Sequence, residues 1–295
     1  MSLTTVRLRE AWNWGGLSVR ELAVRTYQAM DRHDTLNQAA VIAYFAMLAL
    51  VPFLSLTLVL ALGARTGVAD QLKSLSGQWM PLEAKKIIGD QIDKIQSDTP
   101  VGLISLSVVI LLWSASSMFV AVMDATNASY EVRDGRPWWK KRLLAIVMTM
   151  VETILLVGAS ACITLGPQLL AWLPLGDAAR WGAMVLQWFI VVVALLAAFA
   201  TAYYFGPHVD QEWEWITPGS ALGVLTLIIA SLGFRMYLLW NPNYSATYGV
   251  LGGAVLMLLW LYLAGLALLV GAEINCVIEH AAPHGRNPGQ KEAAA

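Results

Sequence analysis

Glu152 is the single charged residue between Leu143 and Gly176. A carboxyl in such a run can hold a proton or tie two helices together. Left charged and unpaired at the centre of a bilayer it costs at least about 2.5–3.5 kcal/mol. It lies ten residues past Arg142, roughly 15 Å along a helix and so near the middle of a hydrocarbon layer. It is therefore expected to face neighbouring protein, paired or protonated. Arg235 stands five residues before Trp240. Its long side chain can snorkel to the outer headgroups, or bend to meet Glu152.

Other polar residues recur at helical spacing. Trp113, Ser117, Val120, Asp124 and Asn127 follow a three-to-four step, with Ser114 and Ser116 beside them. Asn37 and Tyr44 share a face seven residues apart, and Pro52 removes a ladder hydrogen bond from the same helix. Glu273 and Asn275 close the last apolar run. Asn37, Asp124, Glu273 and Asn275 are expected at similar depth on the inner side. Two readings stay open: these groups line an inward-open cavity, or they hold helices together.

No catalytic constellation emerges. His33, His208, His280 and His284 show no repeated ligand spacing. Cys162 and Cys276 fall near opposite faces, too far apart for a disulfide, and read as small buried residues. Neither a metal nor another cofactor is expected, and the expectation is a protein that is not an enzyme.

The elements that must position these groups are membrane helices. The chain has 295 residues, 58% hydrophobic and 13% charged, with a mean hydropathy of +0.60. Soluble domains are nearer a quarter charged. Residues 35–64, 99–123 and 181–209 carry no charge, and 215–272 only Arg235. Asn241-Pro242-Asn243 breaks the last run. An all-α polytopic protein is predicted, with six transmembrane helices at 39–62, 101–123, 143–172, 181–205, 216–240 and 247–272. Segment 1–38 precedes a membrane domain of 39–278, and 279–295 forms a tail. The largely polar start predicts no cleavable signal peptide.

With six spans both ends share one side, which holds twelve Lys and Arg residues against six on the other. The positive-inside rule places both termini in the cytoplasm. The acidic stretch around Asp210, Glu212 and Glu214 dissents, but acidic residues count little in that rule. Trp138, Trp139, Tyr203, Tyr204, Trp213 and Trp215 mark the inner boundary. Trp172, Trp181, Trp240 and Tyr244 mark the outer one.

Residues 17–33, with Val19, Leu22, Ala23 and Tyr27 among five charges, suit a helix on the cytoplasmic surface. The first outer loop, 66–100, carries Leu72, Leu75 and Trp79, then Ile88, Ile92 and Ile95. Two amphipathic helices around Pro81 either rest on the outer leaflet or cover the bundle, or the stretch is a structured loop. Gly249, Gly252, Gly253 and Gly271 allow close helix packing, and the Gly249-xxx-Gly253 spacing admits a second copy of the chain as partner.

Three stretches carry a family likeness: "LNQAAVIAYFAMLALVPFLSL", "LLWSASSMFVAVMDATNASYEVRDGRPWWKKRLLAI" and "YSATYGVLGGAVLMLLWLYLAGLALLVGAEIN". The chain resembles the YihY/BrkB family of bacterial inner-membrane proteins from about residue 17 to 280. The match rests on Trp113, Ser114, Ser116, Tyr248, Gly249, Gly252, Gly253, Trp260, Gly271, Glu273 and Asn275. Glu152 and the acidic fourth loop depart from the pattern. The resemblance implies six spans, an inner-membrane location and links to envelope integrity, lipid handling and serum resistance. It also brings an older ribonuclease assignment. The basic clusters fit topology signals better than an RNA groove, so no nucleic-acid partner is expected.

Three functions remain: translocation of a lipid or amphipathic solute without ATP hydrolysis, an envelope scaffold held by polar contacts, and an intramembrane lipid-modifying enzyme. Membrane lipids are the expected partners. The polar set and the absence of a Walker motif favour the first.

Overall fold

The computed structural model describes residues 12–63, 101–172, 176–209, 213, 215–240 and 244–281. Among these residues a 3-10 turn, Trp14–Gly16, precedes seven helices. They are α1 (Val19–Arg32), α2 (Thr35–Gly63), α3 (Val101–Ser129), α4 (Trp138–Trp172), α5 (Asp177–Phe205), α6 (Pro218–Trp240) and α7 (Tyr244–Ala281). No strand occurs among the described residues. Helix satisfies every backbone group within its own segment, as hydrocarbon requires.

Each of the six predicted spans falls on one of α2–α7. The helices overrun the predictions where polar residues follow, α3 to Ser129 and α7 to Ala281, because protein contacts there replace lipid. α2 runs on through Pro52. The predicted amphipathic loop at 66–100 lies outside the described residues.

Among the described residues four stretches, Trp138–Ala159, Ala179–Phe205, Pro218–Trp240 and Gly252–Ala281, are long and apolar enough to cross a membrane, by length and composition. Their outer faces leave Ile154, Val185, Trp188, Phe189, Ile229 and Leu239 exposed. Hydrocarbon is the solvent that such a surface needs, and the protein is membrane-embedded.

The chain forms two compact units, Met1–Phe45 with Ser116–Ala295, and Ala46–Ala115. In the larger, Ala39, Ile42, Ala121, Val122, Ala125, Phe199, Ala202, Tyr203, Val224, Leu269 and Ala272 form one core from five helices. Phe119 and Met123 pack on Ala145 and Met148. α1 docks through Leu22 on Ile274 and Ile278 of α7.

The buried stripe of α1 is Leu22, Thr26 and Ala29, at steps of four and three. Val19 and Tyr27, expected on the apolar face with Leu22, are exposed. α1 therefore turns its smaller residues to α7. Tyr203 also departs from its expected place in the interfacial belt. It is buried and donates to the Leu268 carbonyl at 2.7 Å, whereas Trp138, Trp181, Trp215 and Trp240 are exposed as belt residues should be.

α6 and α7 approach closely where two glycines face each other. A Cβ on Gly219 would overlap the Gly271 carbonyl and Asn275, and one on Gly271 would overlap the Tyr203 hydroxyl. Among the described residues, a Cβ on Gly253 meets nothing within 4 Å. Gly219→Ala is expected to cost about 1–3 kcal/mol in reversible unfolding from detergent micelles. Gly253→Ala should be neutral, and equal effects would refute the close approach.

Candidate functional site

Two helix corners build the principal polar site. Asp34 (φ 54) turns the chain between α1 and α2, a left-handed conformation that Asp tolerates better than most residues. Its carboxylate accepts from Asn37 Nδ2 at 2.8 and 2.9 Å. Glu131 (φ 53) ends α3. There Glu131 N donates to Ala128 O and Val132 N to Asn127 O, both at 3.0 Å, the pattern of a Schellman cap that usually carries glycine.

These corners bring His33 and Glu131 to Glu273 of α7. Glu273 is fully buried. It accepts from Ser129 Oγ at 2.8 Å and Thr35 Oγ1 at 3.2 Å, and both its oxygens lie 3.0 Å from His33 Nδ1. His33 Nε2 stands 3.3 Å from Glu131 Oε1, which Arg32 also contacts at 3.1 Å. The Glu273 hydrogen bond is the main cause that holds the His33 pKa above its ordinary value, against the burial that lowers it. Burial pushes Glu131 up, but bonds from His33 and Arg32 outweigh it and leave its pKa lowered. Cys276 Sγ, one turn on, meets the Ser129 carbonyl at 2.9 Å and His280 Nδ1 at 3.5 Å, and is buried.

A second network ties the α3–α4 loop to α5. Arg136 donates to Phe205 O at 3.1 Å and Gly206 O at 2.7 Å, closing the last carbonyls of α5. It also holds Asp134 at 2.8 Å, and Lys141 lies 3.3 Å from the same carboxylate. Burial raises the Asp134 pKa, but Arg136 dominates and sets it at about 2. Asn127 Nδ2 donates to Asp134, and its Oδ1 accepts from His208 N at 2.7 Å.

A cleft of about 440 Å³ opens among Gln38, Val41, Phe45, Ser117, Val120, Ala121, Asp124 and Arg142. Arg142 donates to Ser116 and Ser117 at 3.1 Å, and Lys141 pairs with Asp124 at its edge.

The expected polar set therefore divides. Ser117 and Asp124 line the cleft. Asn37 bonds to Asp34, while Asn275 accepts from Gly219 N at 2.8 Å and donates to Thr217 at 2.9 Å. Glu273 joins neither. Glu152 accepts from Thr201 of α5 at 2.6 Å, so it faces protein. Among the described residues no ion pair joins it to Arg235, which is exposed. Tyr44 is exposed, its ring edge-on to Phe45. Trp113, Ser114 and Pro52 belong to the smaller unit. Gly252 is buried, and Gly249 lies early in α7.

Thr35, Ser129 and Glu131 are not among the expected site residues, and His33 figures only as one of four histidines without ligand spacing. His33 and Glu273 are 240 positions apart, so spacing carries no trace of the pair. A usable signal lies at 124–129, where Asp124, Asn127 and Ser129 continue α3 beyond its apolar run.

Residues 26–295 match the family model for virulence factor BrkB. The chain belongs to the BrkB family. It is 30% identical over 258 residues to the ribonuclease-like protein YfkH of Bacillus subtilis, covering 83% of this chain and 90% of that protein. It is 28% identical over 273 residues to a UPF0761 membrane protein of Chromohalobacter salexigens (87% of this chain, 62% of the relative). A similar protein of Nitrosospira multiformis is 26% identical over 251 residues (82% and 57%). The chain thus spans less than two thirds of these last two relatives. No solved structure matches it.

In this BrkB-family chain Ser129→Ala removes a donor from a buried carboxylate, an expected cost of about 1–3 kcal/mol in detergent unfolding. Wild-type stability would refute the contact. Asp134 should act in acid: its contribution is present above 3.8 and lost as pH falls through about 2. Asp134→Asn should lower stability at neutral pH and flatten the acid limb of unfolding followed by circular dichroism.

Proposed function

We propose that the protein crosses the bacterial inner membrane six times, with both ends in the cytoplasm, and translocates a lipid or amphipathic solute without ATP hydrolysis or other catalysis. Six long helices and the twelve-to-six division of Lys and Arg support the topology. The cleft carries the functional reading. Arg142, Ser117 and Gln38 offer donors on one side, and Val41, Phe45, Val120 and Ala121 offer an apolar wall. An anionic headgroup bonded to the donors would leave its acyl chains on that wall, and a charge-assisted bond from Arg suits phosphate or carboxylate. The name of YfkH includes a ribonuclease-like activity, but Arg136 and Lys141 of the basic run 133–142 are engaged by Asp134, Asp124 and the end of α5, which favours a non-catalytic role.

A second reading has its own observation. Glu273 and Asn275 are engaged by neighbouring helices, as an envelope scaffold held by polar contacts would have them. The chain in phospholipid vesicles separates the two. Transbilayer movement of a fluorescent phospholipid should exceed that in protein-free vesicles, and Arg142→Gln should slow it about tenfold, the scale of one charge-assisted bond. Movement no faster than in empty vesicles would leave the scaffold.

A further inference from the structure

His33 stands between two carboxylates, one fully buried on α7 and one partly exposed at the end of α3. We propose that His33 and Glu273 form a proton-binding site that latches the α1–α2 corner onto α7, closed when the proton is bound and released when it leaves.

The contacts fix the two states. With the proton, both ring nitrogens donate, Nδ1 to Glu273 and Nε2 to Glu131. Without it one nitrogen keeps a hydrogen and the other a lone pair. Either tautomer sets that lone pair against a carboxylate, so one bond is lost whichever form is taken. If Nδ1 is the bare nitrogen, the buried Glu273 charge keeps only the Ser129 and Thr35 hydroxyls. An uncompensated buried charge strongly favours opening.

The surroundings contribute in known directions. From the corner come Asp31, Arg32 and Asp34. Arg32 shares Glu131 with the ring, and Asp34 is engaged by Asn37. From the end of α3 come Glu131 and the Ser129 hydroxyl, and from α2 the Thr35 hydroxyl. α7 supplies Glu273, then Cys276 and His280, whose ring meets the thiol. Glu131 gives the proton its way out, being partly exposed where Glu273 is sealed. The raised His33 pKa agrees in sign. Its stabilisation is complete below 6.5 and is lost as pH rises through the raised value. The corner, with α1 behind it, should therefore loosen on the alkaline side.

The full chain in detergent micelles tests this by two readouts. Nitrogen-15 NMR of the histidine rings, with His33→Gln to assign the signal, should show His33 titrating above 6.5. Glu273→Gln should lower that midpoint by about one unit, a tenfold loss of proton affinity. Should that variant not fold, Glu131→Gln at the partly exposed partner should lower it by a smaller step. Amide hydrogen exchange, corrected for intrinsic rate, should show residues 19–45 losing protection between about pH 6 and about pH 9, a loss that His33→Gln abolishes. A His33 midpoint at or below 6.5, or the same pH dependence in His33→Gln, overturns the latch. Neither readout depends on lipid movement, so its failure leaves the translocation reading standing.

Discussion

A carboxylate with no exposure has to be given partners by the fold, because its desolvation costs several kcal/mol that only hydrogen bonds and an opposite charge return. Glu273 is such a group, and meeting its needs orders one end of the larger unit. Ser129 reaches it because α3 continues past the apolar run. Thr35 reaches it because α2 begins directly after a two-residue corner. His33 reaches it because that corner turns through Asp34 in a left-handed conformation. α1 is carried along, and its Leu22 settles on Ile274 and Ile278, the next turns of the helix that bears Glu273.

The remaining polar groups follow the same rule with less at stake. Asn275 closes the start of α6 at the point where Gly219 and Gly271 let two backbones touch. Arg136 covers the last carbonyls of α5, and Asp134 in turn holds Arg136 in place. Glu152 finds a hydroxyl on the adjoining helix. Each of these contacts ties two elements together at a fixed register.

Against this background the cleft beside Arg142 stands out by its openness. There Ser117 and Arg142, bonded to each other, and Gln38 front a space with an apolar wall. Saturated contacts at Glu273 and an open mixed surface at the cleft sit on the same helices, α2 and α3.

Membrane embedding, the helical class and the approximate limits of six apolar helices were legible in the sequence, because they depend on local composition: a backbone in lipid has one economical conformation, and charge-free runs announce it. The family was legible too, in Trp113-Ser114, the Gly252-Gly253 pair and Glu273 with Asn275. Partnerships were not. Asn37, Asp124, Glu273 and Asn275 are expected at one depth, but each has its own partners, since depth follows from counting residues while azimuth follows from packing. The spacing of His33 gives no sign of Glu273, and the basic run at 133–142 does not name Asp134 or the end of α5 as its partners. Which carboxylate meets which base across hundreds of residues is decided when helices dock, by the demand that no buried charge be left alone, and tertiary structure alone meets that demand.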